Sequence, residues 1–594
     1  MTPRRLVGLF VLFPACFWID KDAGSGDESG GSAGDDGGDS SSGGDEDGGG
    51  SGSGDSADTA DSGVPCEVVE LYRDADGDGY GTADDTVDDC EGVDGYVVET
   101  GDCDDADGSR HPGALEVCGD GLDQDCDEAD VDCAWSGALD IADTAGMRID
   151  GEMNDAAITT AMADVGDLDG DGASELVVGS GTPNGGAGRL WVVSGDPALA
   201  TAGDVTTADV DRSTLSGVAS TTFGVGAWGV GDLDGDGTDG FVVAQPLWPD
   251  ATAREHSAFL WFDGPLPTSG SADDASAVFV LDEANFYSVI GAQAAGGIGW
   301  DDTPVLLLGV GDYRGFGSSD GRAWLVEDPA SVPDPLMLED EAAVVFTAAN
   351  MTDGLPDDRQ MGAGVQLCDL SGDGQAEVVV AAGSASGASA GADSALYVWF
   401  SEGPLPSRPT HADADVTLAG SSTYADMGNP TLCGDLDGDG RVELIFSGNQ
   451  DRMWVHVTES ATFSEPGAPA VSIDVSGLDS WRLPEADGRT GGQIAVVPNP
   501  FGDGKDHVVI ADPYGGGAST GRLWLMDGRP DGSNHDADED YVAVLYDTDN
   551  NNAGHRVTGL SDLDGDGYGD LAIGAGGGVP TDRQGRAWIL FGGP

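Results

Sequence analysis

Residues 166–181 read GDLDGDGASELVVGSG: three carboxylates alternate with small residues over five positions, and an almost wholly apolar run follows. GDLDGDG returns at 231–237 and 434–440, as SDLDGDG at 561–567 and, with one serine, as CDLSGDG at 368–374. In such a stretch alternate side chains converge when the chain curls about a point. The sixth-position glycine permits the sharp turn, the seventh residue offers its carbonyl, and a later carboxylate closes the shell. Calcium takes about six to eight hard oxygens in this way. Zinc is poorly served without His or Cys at hand, and magnesium fits a flexible all-protein shell less well. Packing the carboxylates together without a cation would be self-repulsive.

The spacing of these loops decides the fold. They begin at Asp167, Asp232, Asp369, Asp435 and Asp562, with intervals of 65, 137, 66 and 127 residues. Two intervals are about double the others, and degenerate copies fill them: GGIGWDDTPVLLLGVG at 296–311 and NPFGDGKDHVVIADP at 499–513. A second marker recurs after every loop, as GRLWVVSG (188–195), SAFLWFDG (257–264), GRAWLVED (321–328), SALYVWFS (394–401), DRMWVHVT (451–458), GRLWLMDG (521–528) and GRAWILFG (585–592). Each unit holds about four strand-sized segments between turn signals. Such a unit cannot bury its faces alone and must stack on its neighbours. The reading is all-β: a seven-bladed β-propeller of four-stranded blades over 136–594. The strand-like segment 146–151 supplies the last blade's missing strand and closes the ring, which removes an open sheet edge.

Four loops carry a complete ligand set: Asp167, Asp169, Asp171 and Glu175; Asp369, Ser371, Asp373 and Glu377; Asp435, Asp437, Asp439 and Glu443; and Asp562, Asp564, Asp566 and Asp570. Their carbonyls would come from Ala173, Gln375, Arg441 and Tyr568. The second unit keeps Asp232, Asp234 and Asp236 but has Gly240 in ninth place, so Asp239 or water must substitute. The third and sixth units have lost the set and are expected to bind nothing. Trp191, Trp324, Tyr397, Trp454, Trp524 and Trp588 recur once per unit on apolar strands. They read as packing between blades rather than as a stacking platform for sugars.

The loop, the strand after it and the later Gly-Arg strand resemble the FG-GAP repeats of the integrin α-subunit propeller. Phe223-Gly224 with Ala244-Gln245-Pro246 is the nearest literal trace. The resemblance covers about 459 residues. It implies the fold and calcium, and it names no ligand.

Residues 64–135 form a different module. YRDADGDGYG (72–81) offers Asp74, Asp76 and Asp78 with the Tyr80 carbonyl, and Asp123, Asp125 and Asp127 form a second candidate set. No helical pattern flanks the first loop and its twelfth position is Asp85, so an EF-hand is not supported. The pattern resembles the Cys/Asp-rich metal-binding modules named after MopE. That name points to copper, but these donors are hard oxygens, and the reading favours calcium. About four to six calcium sites are expected in all.

Nine cysteines divide into Cys16, a cluster of six (Cys66, Cys90, Cys103, Cys118, Cys126 and Cys133), and the pair Cys368 and Cys433. Even numbers read as disulfides in an oxidising compartment, and six cysteines allow about fifteen connectivities. Cys368 and Cys433 precede equivalent loops of adjacent blades, which suggests that they pair. Residues 1–16 read as an export signal: Arg4 and Arg5 precede a short apolar stretch, and Ala15-Cys16 resembles a lipoprotein cleavage point with Cys16 lipidated. A plain secretory signal is the alternative. Residues 17–63 read, from their Gly/Ser/Asp-rich composition, as a disordered tether.

A formal charge of −87, from 110 acidic and 23 basic residues, repels nucleic acid and anionic lipid headgroups. G-x-S-x-G occurs at 317–321 and 387–391, but in Gly/Ser-rich loops ahead of a strand rather than on a strand–turn–helix elbow, and no HExxH is present. The chain is read as no enzyme. The expected function is a calcium-stabilised cell-surface or secreted protein that recognises an extracellular protein or polysaccharide. A structural envelope component that buffers divalent cations is one alternative, and an extracellular polysaccharide-degrading enzyme is another. If the calcium loops join first and second strands, they share one face. The loops at 181–187, 245–256, 309–320, 383–393, 512–520 and 576–584 then share the other. These vary in length, carry Tyr313-Arg314-Gly315-Phe316 and Pro513-Tyr514, and are where recognition is expected.

Overall fold

A computed structural model describes residues 68–593 apart from internal stretches, the longest being 113–121, 127–134, 283–292, 311–320, 348–358, 385–393, 464–470, 484–492, 514–520 and 577–584. The chain divides into two compact units at Pro112 and Gly113. Almost all regular structure is β. No helix among the described residues is long and apolar enough to cross a membrane.

The N-terminal unit holds one sheet. Val69–Arg73 runs antiparallel to Tyr80–Asp89, with Tyr96–Val97 and Glu99–Thr100 on its flanks. The acidic stretch 74–79 is the turn that joins the two long strands.

Among the described residues that follow in sequence there are seven sheets, one for each sequence unit. The first unit shows the plan. Ala161–Asp164 pairs with Leu176–Ser180, which pairs with Arg189–Val193, which pairs with Asp211–Ser216, each antiparallel to its neighbour. Side chains alternate along these strands, and both faces are buried. Val177, Leu190 and Val192 enter a core shared with the second sheet. Leu176, Val178, Trp191 and Val193 enter a core shared with the last. That two-sided burial is why the strands read as unbroken apolar runs. Every core is built this way: seven clusters each join consecutive sheets, and the seventh joins the last sheet to the first.

First strands of neighbouring sheets approach so closely that only glycine fits between them. A Cβ on Gly296 would collide with the Val230 carbonyl, and one on Gly559 with that of Val496. First strands also surround a cavity of about 220 Å³, lined in part by Met162, Asp164, Trp228, Leu367 and Thr558.

Met147–Asp150 pairs antiparallel with Arg586–Leu590, so an N-terminal strand completes the last sheet as the repeat phase requires. The expectation of four strands per sheet needs correction, because six of the seven sheets have five. Each fourth strand of those six takes a short parallel strand from the following unit. Gly203–Thr206 lies on Met147–Asp150, and Val471–Asp474 on Val416–Ala419. Gly137–Asp140 does the same for Tyr541–Tyr546, so the N-terminal segment enters two sheets. These pieces are too short and polar to form strands alone, and the neighbouring sheet edge makes them strands. A capped turn then aims the chain into the next fourth strand: Asp140 accepts from the Ala142 N–H, and Ser271 with Asp274 forms a capping box.

Trp191, Trp324, Tyr397, Trp454, Trp524 and Trp588 are all buried, as core packing requires. Cys368 and Cys433 form a disulfide across adjacent sheets with Cα atoms 6.4 Å apart, inside the span a disulfide bridges.

Candidate metal centre

Each acidic loop joins the first strand of its sheet to the second, so all share one end of the strands. The first-position carboxylate anchors the turn in each. Asp167 accepts from Gly170 N–H (2.6 Å) and Gly172 N–H (2.9 Å). Asp435 accepts from Gly438 and Gly440, and Asp562 from Gly565 and Gly567. The two glycines take positive φ in every loop, 77° and 99° at Gly170 and Gly172, a conformation that side chains with a Cβ resist. The fifth-position carboxylate is held by the seventh residue's N–H, from Ala173 to Asp171 (3.0 Å) and from Tyr568 to Asp566 (2.9 Å).

Five loops gather three acidic side chains closely enough to share an ion: Asp167, Asp169 and Glu175; Asp232, Asp234 and Asp236; Asp435, Asp437 and Glu443; Asp562, Asp564 and Asp566; and Asp74, Asp76 and Asp78. Asp171, Asp439 and Asp570, each read as part of a set, stand outside these tight groups. The Asp369 loop gathers no such acidic trio. There Ser371 Oγ donates to Glu377 Oε1 at 3.3 Å, and Asp373 accepts from the Gln375 N–H. Of Asp123, Asp125 and Asp127 only Asp123 is among the described residues, and Cys16, Cys66, Cys90, Cys118 and Cys133 lie outside them. Cys103 and Cys126 are disulfide-bonded.

The ninth-position carboxylates lie beneath the loops. Glu175 Oε2 accepts from Leu168 N–H, while its Oε1 takes Ser194 Oγ (3.0 Å). Asp570 is held by the N–H groups of Leu563 and Gly592. Burial, with the charge of the loop carboxylates added, pushes Glu175 up to about 7 and Glu377, Glu443 and Asp570 up to about 8. Hydrogen bonds do not satisfy every oxygen. Glu443 Oε1 and Asp564 Oδ1 are buried with no protein partner. A buried carboxylate oxygen with nothing to bond is costly, and a cation that takes many hard oxygens is what such a cage fits. The donors present are carboxylates and carbonyls, which suits calcium better than copper or zinc.

The loops are also tied to one another. Asp239 N–H donates to the Asp167 carbonyl and Asp506 N–H to the Asp435 carbonyl, each at 2.8 Å. Ser174 N–H donates to the Asp562 carbonyl at 2.8 Å and thereby links the first loop to the last. Asp239 was a candidate to replace the second loop's ninth-position ligand. Its carboxylate instead accepts the Asp167 N–H at 2.9 Å, and Asp506 does the same for Asp435. The eighth position of one loop thus braces the loop before it.

The sixth unit, which lacks the acidic set, keeps the turn by other means. Asn499 stands in first place and accepts from Gly504 N–H (2.9 Å). His507 replaces the ninth-position acid, and its Nε2 lies 3.2 Å from Asp503 Oδ2 while Nδ1 lies 3.0 Å from the Met526 carbonyl. Both ring nitrogens face oxygens that only accept, one of a carboxylate and one of a backbone carbonyl. Burial works to raise the Asp503 carboxyl, yet the hydrogen bond and charge of His507, with Lys505, hold it below its usual range. The sixth loop thus sets His507 and Lys505 beside the one acid left at its ligand positions, Asp503.

A profile for the Cu-binding MopE metal-binding motif matches residues 102–132, and one for the FG-GAP repeat matches 553–590. Integrin alpha-IIb of Mus musculus is 27% identical over 165 residues, 27% of this chain and 16% of the relative. The Homo sapiens protein is 26% identical over 168 residues, 27% of this chain and 15% of the relative. The chain thus spans about a sixth of the length of these curated relatives. Among solved structures, that of the Dos1 propeller aligns over 56% of this chain and 64% of its own, at 9% identity and a TM-score of 0.29. The chain carries an FG-GAP repeat and a MopE-type metal-binding motif, and over about a quarter of its length it is similar to integrin α-subunits.

Proposed function

We propose that residues 136–594 form a closed seven-bladed propeller stabilised by calcium, and that the chain is an exported, non-enzymatic binding protein of the cell surface. Residues 64–135 are its MopE-like metal module, 17–63 its tether and 1–16 its export signal, with lipidation at Cys16 as the anchor. The observation that carries the calcium reading is the pair of buried, partnerless carboxylate oxygens of Glu443 and Asp564 inside acidic loops. The ring supports four to five such sites, at the loops of Asp167, Asp232, Asp369, Asp435 and Asp562.

The partner in this reading is an extracellular protein or polysaccharide. It is held by the loops at the opposite strand ends, 181–187, 245–256, 309–320, 383–393, 512–520 and 576–584, most of whose residues lie outside the described ones. The rigid ring with one face committed to cation loops leaves the other for recognition.

The test has two arms. At about 1 mM calcium and a dissociation constant near 10⁻⁴ M, each site contributes roughly 1.4 kcal/mol, so chelation at constant ionic strength should lower the melting temperature by roughly 5 °C in a ring of this size. An unchanged melt refutes the calcium reading. Pull-down from the extracellular matrix with calcium and with chelator tests the binding role, which falls if nothing is retained in either condition.

A further inference from the structure

In a twelve-residue cation loop the closing carboxylate comes from the twelfth position. For the loop at 74–80 that residue is Asp85, and it faces elsewhere: Oδ1 accepts from Tyr96 Oη at 3.1 Å and Oδ2 pairs with Arg73 at 3.7 Å. The loop nonetheless has vacant acceptors. Asp78 Oδ1 accepts the Tyr80 N–H at 2.7 Å and Asp76 Oδ1 the Asp78 N–H at 3.4 Å, while Oδ2 of each is buried with no partner.

A third carboxylate of the same unit is in the same condition. Asp102 is 9% exposed, its Oδ1 accepts the Asp104 N–H at 2.7 Å, and its Oδ2 is buried without a partner. Burial, with the charges of Asp78 and Asp76 adding to it, raises its carboxyl above the usual range. The segment that bears it is fastened over the loop from several sides. Ala75 N–H donates to Asp105 Oδ1 at 2.7 Å, and Gly101 N–H to the Gly81 carbonyl at 3.2 Å. A Cβ on Gly108 would stand 3.8 Å from Asp76 Oδ1, and the Tyr80 ring stacks on His111 at 5.0 Å.

We propose that the N-terminal cation site is shared between two segments, with Asp102 supplying the closing carboxylate to an ion held by Asp74, Asp76 and Asp78. Three carboxylates of one unit, each with a buried oxygen left vacant, are hard donors of the kind a divalent ion of the calcium type takes; Asp102 stands outside the tight Asp74, Asp76 and Asp78 group, and the ion draws it in. The ion then staples segment 101–108 to the hairpin turn. This rests on the reading of 74–80 as a cation loop, and the controls separate the two.

Calcium alone is the probe. Bound equivalents and dissociation constants are measured on the full chain by equilibrium dialysis for the parent, Asp76→Asn, Asp85→Asn, Asp102→Asn and Asp102→Glu. Asp102→Asn should lose one equivalent, or weaken one by about tenfold or more. Asp102→Glu, which restores the charge, should regain it at least in part, and Asp85→Asn should keep every equivalent. Parental binding by Asp102→Asn, or loss by Asp85→Asn in its place, overturns the role of Asp102 while the loop reading stands. Retention of every equivalent by Asp76→Asn overturns the loop as a site, and the proposal with it.

Discussion

Replacing Glu443 by Gln should stabilise the metal-free protein and cost it a calcium site. The side chain is fully buried beneath the Asp435 loop. Burial first, then the charges of Asp437, Asp435 and Asp439, push its carboxyl from 4.5 up to about 8. A carboxyl raised on folding contributes stability that is fully present below the unfolded value and is lost as pH rises through the folded one. Between 4.5 and pH 7 that loss is roughly 3 kcal/mol, and about half as much once water reaching the loop is allowed for. Gln has the same shape, keeps an acceptor for the Leu436 N–H, and carries no charge to bury. In chelator, E443Q should therefore be more stable than the parent by about 1–3 kcal/mol at pH 7, with little difference at pH 4.5. In about 1 mM calcium it should forgo roughly 1.4 kcal/mol of the parent's gain. Urea unfolding at pH 4.5, 7 and 8.5, in chelator and in calcium at fixed ionic strength, reads both effects. A variant less stable than the parent in chelator at pH 7, with a full calcium response, would refute the reasoning.

Three further outcomes follow from other parts of the structure. His507→Gln should destabilise the protein by about 1–3 kcal/mol equally in calcium and in chelator, because His507 serves the sixth loop with no metal; a calcium-dependent difference would contradict that role. The Cys368–Cys433 disulfide closes a separation of 65 residues, so its loss in a double Cys→Ala variant should cost roughly 3–4 kcal/mol in denaturant unfolding. Two additional reactive thiols in the denatured, unreduced parent would show that the pair is not formed. Replacing 311–320 or 513–520 with short Gly/Ser turns should weaken partner binding and leave the calcium-dependent melt intact, whereas Asp437→Ala should lower stability first; the reverse pattern would place recognition on the calcium face.

How much could be read in the chain depends on whether each feature is local. The acidic loops were legible because an Asp at first position with glycines at fourth and sixth settles a turn within about six residues, and the structure repeats that turn around Asp167, Asp232, Asp435 and Asp562. The strand after each loop was legible because both its faces are buried, as at Leu176–Ser180. The place of Met147–Asp150 followed from counting strands, since the last unit ends one strand short. The pairing of Cys368 with Cys433 followed from their equivalent positions in adjacent units.

What the tertiary structure alone decided is what one segment does for another. Ser269–Ser271 reads SGS, and nothing in three small residues marks a strand until the edge at Thr214–Ser216 pairs with it. Asp239 and Asp506 could be seen to be acids beside metal loops, but that each turns back to hold the preceding loop depends on how neighbouring sheets pack. Asp85 stood where a cation loop expects its closing ligand, yet Arg73 and Tyr96, across the strands, claim it. Asp102, one of many acids in the chain, gains meaning only because folding buries it beside Asp76 and Asp78. Turn geometry is set by the dihedral preferences of a few consecutive residues, and so the sequence determined the loops, the repeat and the apolar strands. Burial and the partners of a carboxylate are set by contacts between distant residues, and so only the fold decided which acids act as braces, which face a cation, and which strand each edge receives.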